Sequence, residues 1–290
     1  MIEITPIRNL NAVVSVPGSK YIANRVLLIA ALAEGISTIK NVPDNEDINQ
    51  VISVLQELGV KIEKRNSSTL LIEGMKGTFP PAAAKPAATE LQVKESGTLL
   101  RFLTALASLV PGKTTITGSA RIRERPIQDL LNSLQDLGIK CLASENGFPP
   151  VEIQGGTFLG GTTVIRGDVS SQYLSALLLI APYAVKDVSI QVTSELVSKP
   201  YVDMTIALME EFGVKTGQER SRQKNTFRIK SGQPYQAREY TIPGDWSSAS
   251  YFLAAAAIVP GKMTVTGLDF KATGPVDFKE FGILAENPIE

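Results

Sequence analysis

Val169-Ser170-Ser171-Gln172 opens an apolar run from Tyr173 to Tyr183, which gives way to Val188-Ser189-Ile190. The same pattern occurs three more times. Pro17-Gly18-Ser19-Lys20 leads into Ile22 to Ala33 and out through Gly35-Ile36-Ser37-Thr38-Ile39. Ser96-Gly97-Thr98 leads into Leu99 to Leu109 and then Gly112-Lys113-Thr114-Thr115-Ile116. Trp246-Ser247-Ser248 leads into Ala249 to Ile258 and then Gly261-Lys262-Met263-Thr264-Val265. A period of roughly 75 residues is too long for small solenoid units and fits repeated supersecondary modules of a globular fold. Each module puts small residues and hydroxyls where a helix begins, and there the free backbone N–H groups and the dipole favour an anion.

The module has a second half. Ile48, Val51, Ile52, Leu55 and Leu58 share one helical face, as do Ile127, Leu130, Leu131, Leu134 and Leu137, and again Val202, Ile206, Met209 and Phe212. Each of these helices closes on an apolar residue, Gly, a β-branched residue and Lys: Leu58-Gly59-Val60-Lys61, Leu137-Gly138-Ile139-Lys140 and Phe212-Gly213-Val214-Lys215. Gly there is the usual left-handed terminator. Strand-like stretches follow at Thr69-Leu70-Leu71-Ile72, Val151-Glu152-Ile153 and Thr226-Phe227-Arg228-Ile229. The fold class is therefore α/β (α+β), built from βαβαββ units that form three mixed sheets in a first domain. That domain is expected at 15–240, with 1–14 and 241–290 forming a partial second domain and Thr241-Ile242-Pro243-Gly244-Asp245 as the linker. The fourth unit reads as incomplete, because Gly274-Pro275 interrupts its second helix and the sequence given stops at Glu290 before closing strands.

The 290 residues carry 29 Lys plus Arg against 29 Asp plus Glu, so nothing pulls the chain as a whole towards nucleic acid or anionic membrane. Any anion specificity has to be local. Met1-Ile2-Glu3-Ile4 begins no basic-then-apolar leader and no run reaches the length of a membrane span, so a cytoplasmic protein is expected. The single cysteine, Cys141, cannot make an internal disulfide and reads as a core residue at a strand start. With no histidine in the sequence, Ser/His and Cys/His nucleophile arrangements and His-containing metal sites are excluded.

Cations gather at matching places in the repeats: Lys20 and Arg25 around the first helix start, Arg101 after Gly97-Thr98, and Arg121, Arg123 and Arg125 just before Pro126. Three arginines ahead of a helix oppose its dipole unless they face an anion. Taken alone they read first as a solvated run paired with Glu124 and Asp129. Their recurrence with Lys20, Arg25 and Arg101 favours the anion. Ser170-Ser171-Gln172 and Ser198-Lys199-Pro200-Tyr201 offer hydroxyls and an amide suited to phosphate and sugar-like hydroxyls, although a Ser-Ser pair taken alone reads more readily as plain N-capping. Gly97 serves either a tight turn or a close ligand approach, and spacing does not separate the two.

Seven ordered motifs resemble the 5-enolpyruvylshikimate-3-phosphate synthase family: Val16-Pro17-Gly18-Ser19-Lys20, Asn24-Arg25, Gly97-Thr98 with Arg101-Phe102-Leu103, Arg123-Glu124-Arg125-Pro126-Ile127, Ser170-Ser171-Gln172, Ser198-Lys199-Pro200-Tyr201-Val202-Asp203 and Gly244-Asp245-Trp246-Ser247-Ser248-Ala249-Ser250-Tyr251. The resemblance runs from the start of the chain to about Gly267. It implies a monomeric two-domain enzyme whose N-terminal strand belongs to the second domain. It also implies transfer of the enolpyruvyl group of phosphoenolpyruvate to the 5-hydroxyl of shikimate 3-phosphate with release of phosphate. No metal or organic cofactor, nucleic acid or membrane enters that chemistry. Lys20 would touch both substrates and is the catalytic candidate. Tyr21, Arg25, Ser170, Ser171, Gln172, Ser198 and Tyr201 would join it on shikimate 3-phosphate. Gly97, Thr98, Arg101, Arg125 and Gln172 would face phosphoenolpyruvate. Tyr21 stands where the family has Ser. The family's acid/base carboxylates fall beyond Glu290, so little turnover is expected of this length of chain. A non-catalytic shikimate 3-phosphate-binding remnant is the alternative. So is a sibling transferase acting on UDP-N-acetylglucosamine, although that sibling relies on another N-terminal motif and a loop cysteine, unlike Cys141.

Overall fold

The computed structural model describes residues 8–80, 89–220 and 225–269. The first unit runs through α1 (Lys20–Leu32), β2 (Ile36–Lys40), α2 (Glu46–Glu57), β3 (Lys61–Asn66) and β4 (Thr69–Glu73), preceded by β1 (Leu10–Ser15). The second has β5 (Thr89–Gln92), α3 (Gly97–Leu106), β6 (Gly112–Thr117), α4 (Gln128–Asp136), β7 (Lys140–Ala143) and β8 (Val151–Gly155). The third has β9 (Gly161–Ile165), α5 (Ser171–Ile180), β10 (Val188–Val192), α6 (Lys199–Glu211), β11 (Thr216–Arg220) and β12 (Asn225–Ile229). Then come β13 (Glu239–Thr241), α7 (Trp246–Ile258) and β14 (Gly261–Thr266).

Three four-stranded mixed sheets share one pattern, with orders β13-β2-β4-β3, β5-β6-β8-β7 and β9-β10-β12-β11. In each, a parallel pair is extended by two antiparallel strands. The first sheet is closed by β13 from the far end of the domain, because β1 pairs in parallel with β14 instead. The chain accordingly divides into one unit of Gly18–Ile242 and another of Met1–Pro17 with Pro243–Glu290. Thr241 of the expected linker thus belongs to a strand, and the turn of the chain falls at Ile242 and Pro243. Gly274-Pro275, Phe281-Gly282-Ile283 and the sequence end lie outside the described residues.

The helices of Gly18–Ile242 are of two kinds. Helices α1, α3 and α5 are apolar almost all round and are buried along nearly their whole length, the state expected of a helix without a polar face. Helices α2 and α4 keep one apolar face inward and one polar face in solvent, with Ile127, Leu130, Leu131, Leu134 and Leu137 fully buried. The glycines after α2, α4 and α6 have φ of 96°, 90° and 94°, the left-handed terminator that the sequence requires. Cys141 lies buried in β7, where burial pushes its thiol up to about 11.

The packing of the inner helices makes their polar residues informative. Each polar side chain on a helix buried from all sides needs a partner or a purpose. Thr104 returns its hydroxyl to Leu100 O of its own helix. Arg25 and Arg101 are the two buried ones that carry charge.

Candidate anion site

The starts of α1, α3, α5 and α6 come together around a cavity of about 220 Å³ lined by Tyr21, Arg25, Thr98, Val169, Ser170, Ser171, Gln172, Val197, Ser198 and Tyr201. None of these four helices has an acidic residue in its first turn, whereas α2 carries Glu46 and Asp47 and α4 carries Asp129 there. An acidic first turn stabilises a helix by complementing its dipole. Leaving it out of all four helices at the cavity keeps their N-terminal field available to an external anion.

Arg25 is 2% exposed. Its Nε donates to Thr205 Oγ1 at 2.7 Å, Nη1 to Tyr21 O at 2.8 Å, and Nη2 to Tyr201 O at 3.3 Å and Ser175 Oγ at 3.5 Å. Phe102 and Tyr201 present their rings to the guanidinium at 5.2 and 5.9 Å. All of these partners are neutral. Among the described residues no carboxylate pairs with Arg25. Burial lowers its pKa to about 10, with Tyr201 acting weakly the other way. A cation held this deep without a counter-ion is costly unless something supplies the negative charge.

Hydroxyls and an amide complete the lining. Ser170 caps α5, its Oγ accepting from Gln172 N at 3.2 Å, so the N-capping reading holds while the residue also faces the cavity. Ser198 makes no side-chain capping bond and has left-handed backbone angles of φ 53° and ψ 39°. Gln172 Nε2 donates to Thr98 Oγ1 at 3.2 Å, tying the start of α5 to that of α3. Tyr21 packs on Tyr201 with ring centroids 5.2 Å apart.

The remaining sequence candidates lie outside this lining. Lys20 Nζ is 3.3 Å from Asp47 Oδ2 and 5.7 Å from the Tyr21 ring. Arg101 points inward: Nη1 donates to Gly97 O at 2.7 Å and Nη2 to Pro126 O at 3.3 Å, with the Tyr173 ring 5.9 Å away. Burial lowers its pKa; Tyr173 raises it, and the nearby positive Arg125 lowers it further. A Cβ built on Gly97 would stand 2.7 Å from Arg101 Nη1, so the close approach that this glycine allows is occupied by the chain's own guanidinium. Arg121, Arg123 and Arg125 are exposed and form no ion pair with Glu124, Asp129 or any other described residue. The paired-surface reading of that cluster is therefore not what the fold adopts. Ser175 and Thr205, which orient Arg25, were not singled out from the sequence. The available signal was a polar residue inside an otherwise apolar run, Ser175 between Leu174 and Ala176.

Repeated βαβαββ units whose helix starts meet around a buried guanidinium, with no carboxylate partner among the described residues, define an α/β protein of the repeated-unit class. The sequence pattern of EPSP synthase (3-phosphoshikimate 1-carboxyvinyltransferase) matches residues 4–283, and the chain belongs to that family. It is 44% identical over 270 residues to a 3-phosphoshikimate 1-carboxyvinyltransferase of Shewanella pealeana, covering 92% of this chain and 62% of that one. It is 42% identical over 288 residues to that of Shewanella piezotolerans, covering 98% and 66%. A structure of EPSP synthase from Acinetobacter baumannii shares the fold with a TM-score of 0.74 at 23% identity, covering 89% of this chain and 56% of that one. The chain thus spans 62% and 66% of the length of the two curated relatives. No described helix is long and apolar enough to cross a membrane.

Proposed function

We propose that the cavity binds shikimate 3-phosphate and that the chain serves the transfer of the enolpyruvyl group from phosphoenolpyruvate to the 5-hydroxyl of that substrate. The observation that carries this reading is Arg25, a buried guanidinium whose partners are all neutral, beside four helix starts free of acidic residues. A phosphate dianion placed there would gain charge-assisted hydrogen bonds and the field of the helix ends together. Ser170, Ser171, Ser198 and Gln172 suit the remaining phosphate oxygens and the ring hydroxyls.

Phosphoenolpyruvate is assigned to the neighbouring turns. Thr98 and Gln172 would lie between the two ligands, and Arg125, exposed and unpaired, would supply a cation. Lys20 would leave Asp47 to reach the substrates. In the reaction the methylene carbon of phosphoenolpyruvate takes a proton, the attacking 5-hydroxyl gives one up, the new C–O bond forms, and the C–O bond to phosphate breaks. Positioned acid and base groups are needed for the two proton transfers. Cytoplasmic location, expected from the sequence pattern, and a monomeric state, implied by the resemblance, belong to the same reading.

Calorimetric titration of the chain with shikimate 3-phosphate tests the assignment, followed by a phosphate-release assay with both substrates. Saturable binding that inorganic phosphate displaces is expected. Absence of binding rejects the reading, and binding without phosphate release identifies a binding remnant.

A further inference from the structure

Two loops run side by side to the cavity, one from β9 to α5 through Arg166-Gly167-Asp168-Val169-Ser170, the other from β10 to α6 through Ser194-Glu195-Leu196-Val197-Ser198. Ser194 joins them. Its Oγ accepts from Gly167 N at 2.9 Å and from Asp168 N at 3.0 Å, and its hydroxyl donates to Asp168 Oδ1 at 2.9 Å. Val197 N donates to Gly167 O at 3.0 Å. Arg166 also holds the Asp168 carboxylate, Nε donating to the same Oδ1 at 3.1 Å and Nη2 to Oδ2 at 3.0 Å. These donors, Arg166 first and Ser194 next, bring the Asp168 pKa down to about 2, so the carboxylate stays ionised in its role as acceptor.

The two loops also touch at a point that admits no side chain. A Cβ on Gly167 would lie 2.9 Å from Glu195 O and 3.0 Å from Ser194 O. Both are backbone atoms, which cannot swing aside. The residues just beyond the junction line the cavity: Val169 and Ser170 on one loop with Ser171 and Gln172 at the start of α5, and Val197 and Ser198 on the other loop. Ser198 sits in the left-handed region, which a non-glycine residue keeps only when its surroundings fix it.

From this geometry we propose that Gly167, Asp168 and Ser194 are positioning residues: they form a clasp that sets the spacing between the Ser170–Ser171 and Ser198 hydroxyls and so the affinity of the cavity for a phosphate monoester. The proposal rests on the shikimate 3-phosphate reading above. Hydroxyl donors carried by two separate loops gain little from a ligand if binding must first order them, and preorganisation removes that cost. None of the three lines the cavity, so none touches the ligand. Gly167 is buried at the junction, whereas Asp168 is exposed and Ser194 half-buried; the Ser194 hydroxyl bonds loop atoms, so its loss falls on binding more than on folding.

The test uses the whole chain with Ser194→Ala and Ser194→Thr, read by titration with shikimate 3-phosphate, by thermal unfolding and by amide hydrogen exchange. Ser194→Ala is expected to weaken binding about tenfold through misplacement of the loops, with an unchanged unfolding midpoint and faster exchange at Val197 and Gln172 but not in α1. Ser194→Thr, which keeps the hydroxyl, restores affinity to within about twofold. Affinity unchanged in Ser194→Ala overturns the proposal, as does a parallel loss of affinity and midpoint that Thr does not rescue. If the wild-type chain binds no shikimate 3-phosphate, the functional reading fails and exchange alone decides the clasp: unaltered rates at Val197 and Gln172 in Ser194→Ala refute it.

Discussion

Replacing Arg25 with Met separates the two things a buried cation does. In the free chain the guanidinium makes hydrogen bonds only to neutral atoms, the closest to Thr205 Oγ1 at 2.7 Å and Tyr21 O at 2.8 Å. Burial holds its pKa down at about 10, equivalent to about 3 kcal/mol against the charged form. The sign follows directly. A base whose folded-state pKa is depressed holds its proton less tightly when folded, so the penalty is complete at neutral pH and shrinks only as pH rises above about 10. Met removes the charge and its penalty, fills most of the same space and forfeits two good charge-to-neutral hydrogen bonds, each worth roughly 1.5–3 kcal/mol. Gain offsets most of the loss, so stability is expected to fall by no more than about 3 kcal/mol. The affinity for shikimate 3-phosphate should fall much further. Losing one charge-assisted contact to phosphate costs about 2 kcal/mol or more, some thirtyfold in Kd. Urea unfolding and calorimetry on the same preparations give both numbers. A variant that unfolds readily yet binds with native affinity when folded would refute the reasoning, since Arg25 would then be a structural strut.

Three other outcomes are expected. Tyr21→Ser, which removes a ring packed at a tilt 5.2 Å from that of Tyr201 and restores a small hydroxyl beside the cavity, should not weaken shikimate 3-phosphate binding; a tenfold loss by calorimetry would make the phenol a ligand contact. Arg101→Lys should lower the unfolding free energy by about 1–2 kcal/mol, because an ammonium cannot reach Gly97 O and Pro126 O together, while binding of shikimate 3-phosphate changes less than about twofold. Cys141, buried with its thiol pushed up to about 11, should react with Ellman's reagent at least about 100-fold more slowly in the folded chain than in urea; equal rates would place it at the surface.

The distribution of acidic first turns separates the outer helices from those at the cavity. Helices α2 and α4 carry the acidic first turns that stabilise helices, and they lie with polar faces outward. The inner helices and α6 forgo that gain at the ends that meet the cavity. Stabilisation withheld there is available to a bound anion instead.

The repeat itself was readable from residue order alone. Its signals are local: a hydroxyl before an apolar run, one apolar face in the second helix, and Leu-Gly-Val-Lys or its equivalent to stop it. Backbone sterics confine the left-handed turn of Gly59, Gly138 and Gly213 to that place, so periodicity and glycine gave the units and three mixed sheets. The partner of each strand was a different matter. That β13 rather than β1 completes the first sheet depends on a pairing between Glu239–Thr241 and Thr38–Lys40, which no local signal encodes. The site divides along the same line. Lys20, Arg25, Arg101 and Arg125 are alike in the sequence, four cations near helix starts. Tertiary packing decided that Arg25 faces the cavity from a neutral cage of Thr205, Ser175 and Tyr201, that Arg101 turns back onto Gly97 O, that Lys20 meets Asp47 and that Arg125 stays in solvent. A charge's role is set by the dielectric and the partners around it, and those come from residues as far as 180 positions away in the chain.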